Sequence, residues 1–187
     1  SAETSALSFT EGGSATAITA ALTVSDVDDT NIESATVQIT SNLDNSEDVL
    51  AFTTQNGITG TFTSSTGLLS LSGSASVADY QTALRSVTYQ NTDTDNPSTS
   101  QRTVTFTVND GDVNSNTQTR TIDVVRANDA PVLASAETSA LSFTEGGSAT
   151  AITSALTVSD ADDTNIESAT VQITSNLDNS EDVLAFT

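Results

Sequence analysis

Short acidic loops are the parts of this sequence whose residue types and spacing suggest chemistry. Carboxylates and amides at such density supply oxygen ligands for a hard cation, and calcium takes roughly six to eight of them. Magnesium fits less well, because it prefers fewer carboxylates and keeps its waters. We therefore expect Ca²⁺ as the cofactor. The candidate ligands are Glu11, Asp26, Asp28, Asp29, Asp93, Asp95, Asp110, Asp112, Asn128, Asp129, Asp160, Asp162 and Asp163.

The composition argues against several other functions. The chain carries 25 acidic residues against four arginines, a net charge of −21, so nucleic acid and anionic membranes are not expected as partners. It contains no histidine and no cysteine, which removes the usual general base and the usual thiolate metal ligands. No apolar run approaches the roughly 20 residues that span a bilayer. We expect a protein that is neither an enzyme nor inserted in a membrane.

A long internal repeat organises the chain. Residues 1–53 recur as residues 135–187, with Ala20 replaced by Ser154 and Val27 by Ala161. The period is too long for a solenoid, whose units are roughly 20–45 residues, and corresponds to a whole globular domain. The sequence therefore predicts one complete repeat at 1–128, followed at 129–187 by a linker and the N-terminal part of a second repeat.

Alternating apolar and polar residues predict strands through the first repeat. The Asn56-Gly57 pair indicates a hairpin, because both central residues of a type I′ turn need a positive φ. The predicted strands are Leu7–Phe9, Ile18–Val24, Ala35–Ile39, Val49–Gln55, Ile58–Thr63, Leu68–Leu71, Val87–Tyr89, Val104–Val108 and Thr117–Val125.

One short helix is predicted after Ser76, a plausible N-cap with Asp79 three residues later. Val77, Tyr80 and Leu84 would share its apolar face, which we expect to cover one end of the core. Many strands, regular turns and one helix predict an all-β fold. The expected architecture is an immunoglobulin-like, cadherin-like Greek-key β-sandwich with one short crossover helix, repeated in tandem.

The acidic loops sort to the two ends of such a sandwich, because its strands run alternately up and down. The loops at 26–31 and 110–116 fall at one end, and Glu11, the loop at 93–95 and the exit at 128–129 at the other. If the domains are joined end to end, Glu11, the loop at 93–95 and the exit at 128–129 approach Asp160, Asp162 and Asp163. The carboxylates would repel one another there, and this repulsion favours a bound cation. The predicted calcium-binding joint between the two repeats is then centred on the linker Arg126–Pro131. The alternative is that these aspartates only form turns.

The pattern resembles the tandem cadherin-like, immunoglobulin-fold repeats of large bacterial surface adhesins, including the RTX type. The matching residues are the linker 128–131, Glu11, the loop at 93–95 and Asp160-Ala161-Asp162. The resemblance implies calcium ions between successive domains. Ala130 departs from it, because a cadherin linker usually carries a second Asn there.

These observations lead to a functional prediction with two alternatives. We expect a calcium-stabilised extender at the bacterial cell surface, whose partners are neighbouring identical repeats. The alternatives are a calcium-dependent module that binds sugar or protein, and a passive spacer that needs no metal. The second copy stops at Thr187, the counterpart of Thr53. We therefore also expect that chains can associate with one another by exchanging strands through this truncated repeat.

Overall fold

The computed structural model describes residues 3–186. The chain forms two compact units that divide between Asp129 and Ala130. The first contains β1 (Leu7–Thr10), β2 (Thr16–Ala17), β3 (Asn31–Ser41), β4 (Asp48–Ala51), β5 (Thr59–Thr63), a 3-10 turn (Ser64–Thr66), β6 (Leu68–Ser76), α1 (Val77–Ser86), β7 (Thr88–Asn91), β8 (Arg102–Asn109) and β9 (Gln118–Val125). The second contains β10 (Val132–Ala134) and β11 (Thr157–Ser159).

The first unit is a β-sandwich, as predicted. One sheet has the strand order β1-β9-β8-β3-β6-β5 and the other the order β2-β7-β4. The pairings are antiparallel except that β1 runs parallel to β9. Alternate residues of the central strand β3 point into the core, and the rings of Phe9 and Tyr89, from different sheets, meet edge to face with centroids 5.3 Å apart.

The predicted crossover helix is confirmed. It connects β6 of the larger sheet to β7 of the smaller one. The Ser76 hydroxyl oxygen accepts a hydrogen bond from the Asp79 N–H at 3.1 Å, and Tyr80 and Leu84 are buried. Among residues 3–186, no helix is long and apolar enough to cross a membrane.

The predicted strand at 18–24 is wrong, because only Thr16–Ala17 pairs as a strand in this region. Ile18 and Leu22 are buried as the pattern suggested, whereas Ala20 is exposed. The apolar spacing therefore identified core residues correctly but not the backbone conformation that buries them.

A carboxylate explains the irregular backbone. Glu3 accepts hydrogen bonds from the Thr19 hydroxyl at 2.5 Å and from the backbone N–H groups of Ala20 and Ala21 at 2.7 and 3.1 Å. The Thr19 hydroxyl oxygen also accepts from the N–H of Leu22 at 3.2 Å. These side-chain acceptors satisfy the donors that a sheet would otherwise use, so the segment turns instead of extending.

The Glu3 carboxylate predicts a specific acid sensitivity. Desolvation raises its pKa, but the Thr19 and Ala20 donors and the Arg120 guanidinium, 2.8 Å away, outweigh this and lower the pKa from 4.5 to about 2. The folded pKa is depressed, so the stabilisation is present above pH 4.5 and is lost as the pH falls towards 2. We expect Glu3→Gln to lower the free energy of unfolding near neutral pH, with a difference from wild type that shrinks to nearly zero at the acid end.

Urea unfolding curves across this pH range test the prediction. Glu137→Gln is the matched control, because Glu137 occupies the same sequence position in the second unit and its change should leave unfolding of the sandwich unaltered. A constant difference between wild type and E3Q at every pH would contradict it.

The Asn56-Gly57 turn forms, but its setting differs from the predicted hairpin. Asn56 and Gly57 have φ values of 51° and 77°, and Gln55 pairs with Ile58 across the turn. The flanking strands β4 and β5 belong to different sheets, because β4 pairs with β7 and β5 with β6. The turn therefore passes the chain from one sheet to the other.

A buried ion pair lies under the loops that precede β4 and β8. The Arg102 Nε donates to both oxygens of the Asp48 carboxylate, at 3.2 and 3.1 Å, and both side chains are fully buried. Asp48 also accepts from the Tyr89 hydroxyl at 2.6 Å, while Arg102 donates to the carbonyls of Ser98 and Ser100. The network satisfies charges that would otherwise be costly to bury.

We expect Asp48→Asn to destabilise the sandwich by about 3 kcal/mol or more, because it removes the carboxylate that pairs directly with the buried Arg102 and leaves the more distant Glu47 carboxylate, at 3.7 Å, as its charged partner. The matched control is Asp182→Asn, which changes the exposed residue at the same place in the second unit and should cost less than about 0.5 kcal/mol. Chemical denaturation measures both. Equal effects of D48N and D182N would show that the ion pair is not a structural requirement.

The second unit shows how much the strands depend on distant partners. Phe143 is 63% exposed where its counterpart Phe9 is 2% exposed, and Val171 is 71% exposed where Val37 is fully buried. Residues 165–175 contain no strand, although their sequence is identical to that of β3. In the first unit β3 lies between β6 and β8, and no described residue after Asp129 repeats those two strands.

Candidate metal centre

An upper acidic cluster comprises Asp26, Asp28, Asp29, Asp110 and Asp112. Oxygens from the first three carboxylates lie within 4.8 Å of one another. Desolvation raises the pKa of Asp29, and the four other carboxylates of the cluster raise it further. The loop after Val24 and the loop between β8 and β9 are therefore close enough for their charges to repel one another.

Each Asp-x-Asp loop is built around a turn in which the first aspartate accepts two backbone hydrogen bonds. Asp26 Oδ1 accepts from the N–H groups of Asp28 and Asp29 at 3.1 and 2.9 Å. This bonding engages one oxygen of the first aspartate and leaves its second oxygen for another partner. The same arrangement occurs at Asp93 with Asp95 and Asn96, at Asp110 with Asp112 and Val113, and at Asp160 with Asp162 and Asp163.

These hydrogen bonds favour the ionised form of Asp26, Asp93 and Asp110. The donated N–H groups hold the pKa of Asp26, Asp93 and Asp110 below its ordinary value of 3.8. Asp26, Asp93 and Asp110 therefore do form turns, each through one of its carboxylate oxygens, as the turn-forming alternative predicted. Such a turn is compatible with a cation at the other oxygen, because a deprotonated carboxylate is the form that binds one.

Glu11 is the most unusual carboxylate of the first unit. Its Oε2 accepts from the Ala127 N–H at 2.9 Å, while its Oε1 is buried and has no hydrogen-bond partner among the described residues. The residue is only 8% exposed. Its position follows from the parallel pairing of β1 with β9, which places the end of β1 beside the chain exit, where the Glu11 N–H donates to the Val125 carbonyl at 2.9 Å.

The loop at 93–95 lies at the same end as that exit. The Arg126 Nε donates to the Pro97 carbonyl at 3.0 Å, and the Arg126 charge helps the Asp95 and Asn96 N–H groups to lower the pKa of Asp93. Glu11 and the first part of this loop therefore both flank the segment that leaves β9. We call Glu11, Asp93, Asp95, Asn128 and Asp129 the lower acidic cluster.

The remaining predicted ligands have less constrained surroundings. Asp95 and Asn128 are exposed, and the Asn128 amide donates to the Asp129 carbonyl at 2.5 Å. Asp160 and Asp162 are half-buried and Asp163 is exposed, all within the second unit. Among residues 3–186, carboxylate oxygens of three residues lie within 4.8 Å of one another at Asp26, Asp28 and Asp29, and no such group of three forms among the lower candidates or at Asp160, Asp162 and Asp163.

Glu33 is a carboxylate of the upper end that the sequence interpretation missed. Its Oε1 accepts from the Ser74 hydroxyl at 3.2 Å, and its Oε2 is buried without a hydrogen-bond partner among the described residues. Gly111 lies against it, since a Cβ there would be 3.4 Å from Oε2. Pairing of β3 with β6 shifts register between Ile32 and Ser34, which strand alternation does not reveal.

Charge repulsion between the carboxylates of the upper acidic cluster can be tested in the absence of metal. We expect Asp29→Asn to raise the thermal midpoint of the sandwich in chelator at neutral pH, because it removes a repelled charge. A raised folded pKa means that the carboxylate of Asp29 costs stability as the pH rises above 3.8, so the gain should vanish below that pH and shrink in molar salt.

Thermal melts followed by circular dichroism provide the measurement. The matched control is Asp163→Asn, the corresponding change in the second unit, which should not move the sandwich transition. A lower midpoint for D29N in chelator would mean that its carboxylate makes a net favourable interaction without a cation.

The fold and its acidic ends define a β-sandwich repeat module. No family model matches the chain, and no solved structure matches it. Among curated proteins, the chain is similar to Halomucin from Haloquadratum walsbyi, with 51% identity over 73 residues, which is 36% of this chain and 1% of Halomucin. The chain therefore spans about 1% of the length of that protein, and the similarity concerns one segment of it.

Proposed function

We propose that this protein is a calcium-stabilised structural extender of a long extracellular adhesin on the bacterial cell surface, with neighbouring identical repeats as its partners. Two features support an extended surface protein. The repeat recurs almost unchanged within the chain, and its relative Halomucin is far longer than the matched segment. Repeated units of one fold joined in tandem add length to a chain.

The observation that carries the calcium proposal is the Glu11 carboxylate. A buried carboxylate oxygen without a partner costs free energy, because it has lost water without gaining another donor. The single N–H from Ala127 reaches only the other oxygen. A bound cation would offset that cost, and in a chain of net charge −21 a dissolved cation is readily attracted to the site.

The donor set suits calcium. The lower acidic cluster offers carboxylate, amide and carbonyl oxygens, and the chain has no histidine or cysteine to favour a transition metal. At the upper end, Asp26, Asp28 and Asp29 would hold an ion, with Glu33 as a further donor. In the second unit Asp160, Asp162 and Asp163 would serve the same purpose, because Asp160 forms the same turn as Asp26.

Calcium would act mechanically in this proposal. An ion held by Glu11 and by the residues leaving β9 would restrict the linker Arg126–Pro131, so that each repeat stiffens its connection to the next. Binding to the ordered state alone also stabilises the fold by mass action. Extracellular calcium modules commonly bind in the range of about 0.1–1 mM, which makes the stiffening responsive to the medium outside a cell.

We expect calcium to raise the unfolding free energy of the sandwich by about 2.7 kcal/mol at a hundredfold excess over the dissociation constant. Glu11→Gln should remove the share of this gain that comes from the lower acidic cluster and leave the share from Asp26, Asp28 and Asp29, because it replaces the charged ligand while keeping an acceptor for the Ala127 N–H. The matched control Glu145→Gln, at the exposed counterpart position of the second unit, should retain it.

Calorimetric melts with chelator, calcium and magnesium measure the gain, and small-angle scattering of the full chain measures the stiffening. We expect a narrower distribution of chain dimensions in calcium than in chelator or magnesium. If calcium changes neither the melting temperature nor the chain dimensions, the calcium proposal fails and the alternative of a spacer that needs no metal is favoured. A calcium gain in E11Q equal to that of wild type would contradict an ion at the lower acidic cluster.

A further inference from the structure

We propose that β5 is an association surface through which two copies of this chain pair edge to edge, with their β5 strands antiparallel. β5 is an outermost strand of the larger sheet, because it pairs with β6 on one side and no described strand pairs with its other side. The backbone N–H and C=O groups on that side can therefore accept a further strand. The inference concerns the first unit alone and does not depend on calcium.

The β5 edge lacks the features by which proteins usually prevent such pairing, which are charged side chains, proline and bulges. β5 pairs with β6 without a register shift. Both strands lie within residues 49–78, the longest stretch of the sequence without a charged residue, and this stretch contains no proline. By contrast, the opposite edge strand β1 is followed directly by Glu11 and pairs Ser8 with Asp123 of β9.

Charge favours this edge as the place where two copies of the chain can meet. Each chain carries a net charge of −21, so two copies repel one another over most of their surfaces. The repulsion is weakest where carboxylates are absent, and the hairpin of β5 and β6 contains none. A contact between copies is therefore least opposed at β5.

The sequence of β5 is complementary to itself in the antiparallel register centred on Thr61. In that register every residue of Thr59–Thr63 has a partner on the other copy. Thr61 lies opposite Thr61, Thr59 opposite Thr63, and Gly60 opposite Phe62. Cross-strand threonine pairs are favourable, and an aromatic side chain compensates for a glycine at a sheet edge. The contact uses the same surface on both copies, as a closed two-fold dimer requires.

The inward side of β5 offers apolar surface that this pairing would cover. Gly60 and Phe62 lie opposite buried leucines of β6 and so face the interior. The Phe52 ring covers Gly60, since a Cβ at Gly60 would lie 2.8 Å from the Phe52 Cδ1 atom. Phe52 and Phe62 are only partly buried. Pairing would place Phe62 of the other copy beside Phe52 and remove apolar surface of both rings from water.

The pairing also determines the relative direction of the two chains. Four antiparallel pairings lead from β9 through β8, β3 and β6 to β5, so β5 runs in the same direction as β9. Two copies joined through antiparallel β5 strands therefore run in opposite directions. On the basis of the proposed extender function, arrays that project from facing cell surfaces would meet in this orientation, and many weak contacts along them would combine.

Sedimentation equilibrium of the full-length chain at millimolar concentration tests the proposal. We expect a monomer–dimer equilibrium in chelator as well as in calcium, strengthened by molar salt because salt screens the net charge. Thr61→Glu should lower the association constant about tenfold, because two like charges would lie directly opposite one another. The matched control is Thr36→Glu, which adds the same charge at an exposed position of the central strand β3 and should leave association unchanged.

Paired substitutions test the antiparallel register. In a chain carrying Thr59→Lys and Thr63→Glu, each lysine faces a glutamate of the other copy, and we expect the association constant to rise about tenfold above wild type. In a chain carrying Thr59→Lys and Thr63→Lys, like charges face each other. This variant should associate more weakly than wild type although its net negative charge is smaller. Equal association of the two variants would contradict the register.

Amide NMR signals recorded on dilution locate the contact. We expect concentration-dependent shifts in Thr59–Thr63 and at Phe52, and none in β1. A wild-type chain that stays monomeric in both media, or association that T61E and T36E change equally, would overturn the proposal. Association that requires calcium would overturn it as well. Association in chelator combined with melting that calcium leaves unchanged would support the β5 contact while the calcium proposal fails.

Discussion

The pairing of β3 between β6 and β8 is the interaction on which the rest of the structure depends. It places the longest strand at the centre of the larger sheet and directs Ala35, Val37 and Ile39 into the core. The chain contains its own control, because the identical residues 165–175 have no neighbouring β6 and β8 and form no strand. Local propensity is therefore insufficient here, and the strand exists only when contacts far along the sequence offset its conformational entropy.

The parts of the fold that could be predicted are those specified by local chemistry. The cap at Ser76, the alternation along β3 and the positive φ of Asn56 and Gly57 are all determined by residues close in sequence. Three features could not be predicted: the turn organised by Glu3, the passage from β4 to β5 between sheets, and the bulge beside Glu33. Each depends on a partner that lies in a remote segment, so periodicity alone does not reveal it.

The same distinction applies to the candidate metal centre. Loop position in the sequence placed Asp26, Asp28 and Asp29 together, and their carboxylate oxygens lie within 4.8 Å of one another, but it did not reveal the environment of each carboxylate. Charge distribution explains why the ends of the first unit remain acidic: four arginines face 25 acidic residues, each arginine has an acceptor within the first unit, and of the lower acidic cluster it is Asp93 whose pKa Arg126 helps to lower. The arginines and their acceptors are Arg85 with the Leu22 carbonyl, Arg102 with Asp48, Arg120 with Glu3, and Arg126 with the Pro97 carbonyl.

The parallel pairing of β1 with β9 determines how the module would respond to tension. Traction on an extended tandem chain would pull β1 from its beginning at Leu7 and β9 from its end at Val125, in opposite directions along the same pair of strands. Such a load shears the hydrogen bonds between the strands together, whereas pulling from one end would open them one by one. The first and last strands of the sandwich therefore form a mechanical clamp in which the resistance of many weak bonds is combined.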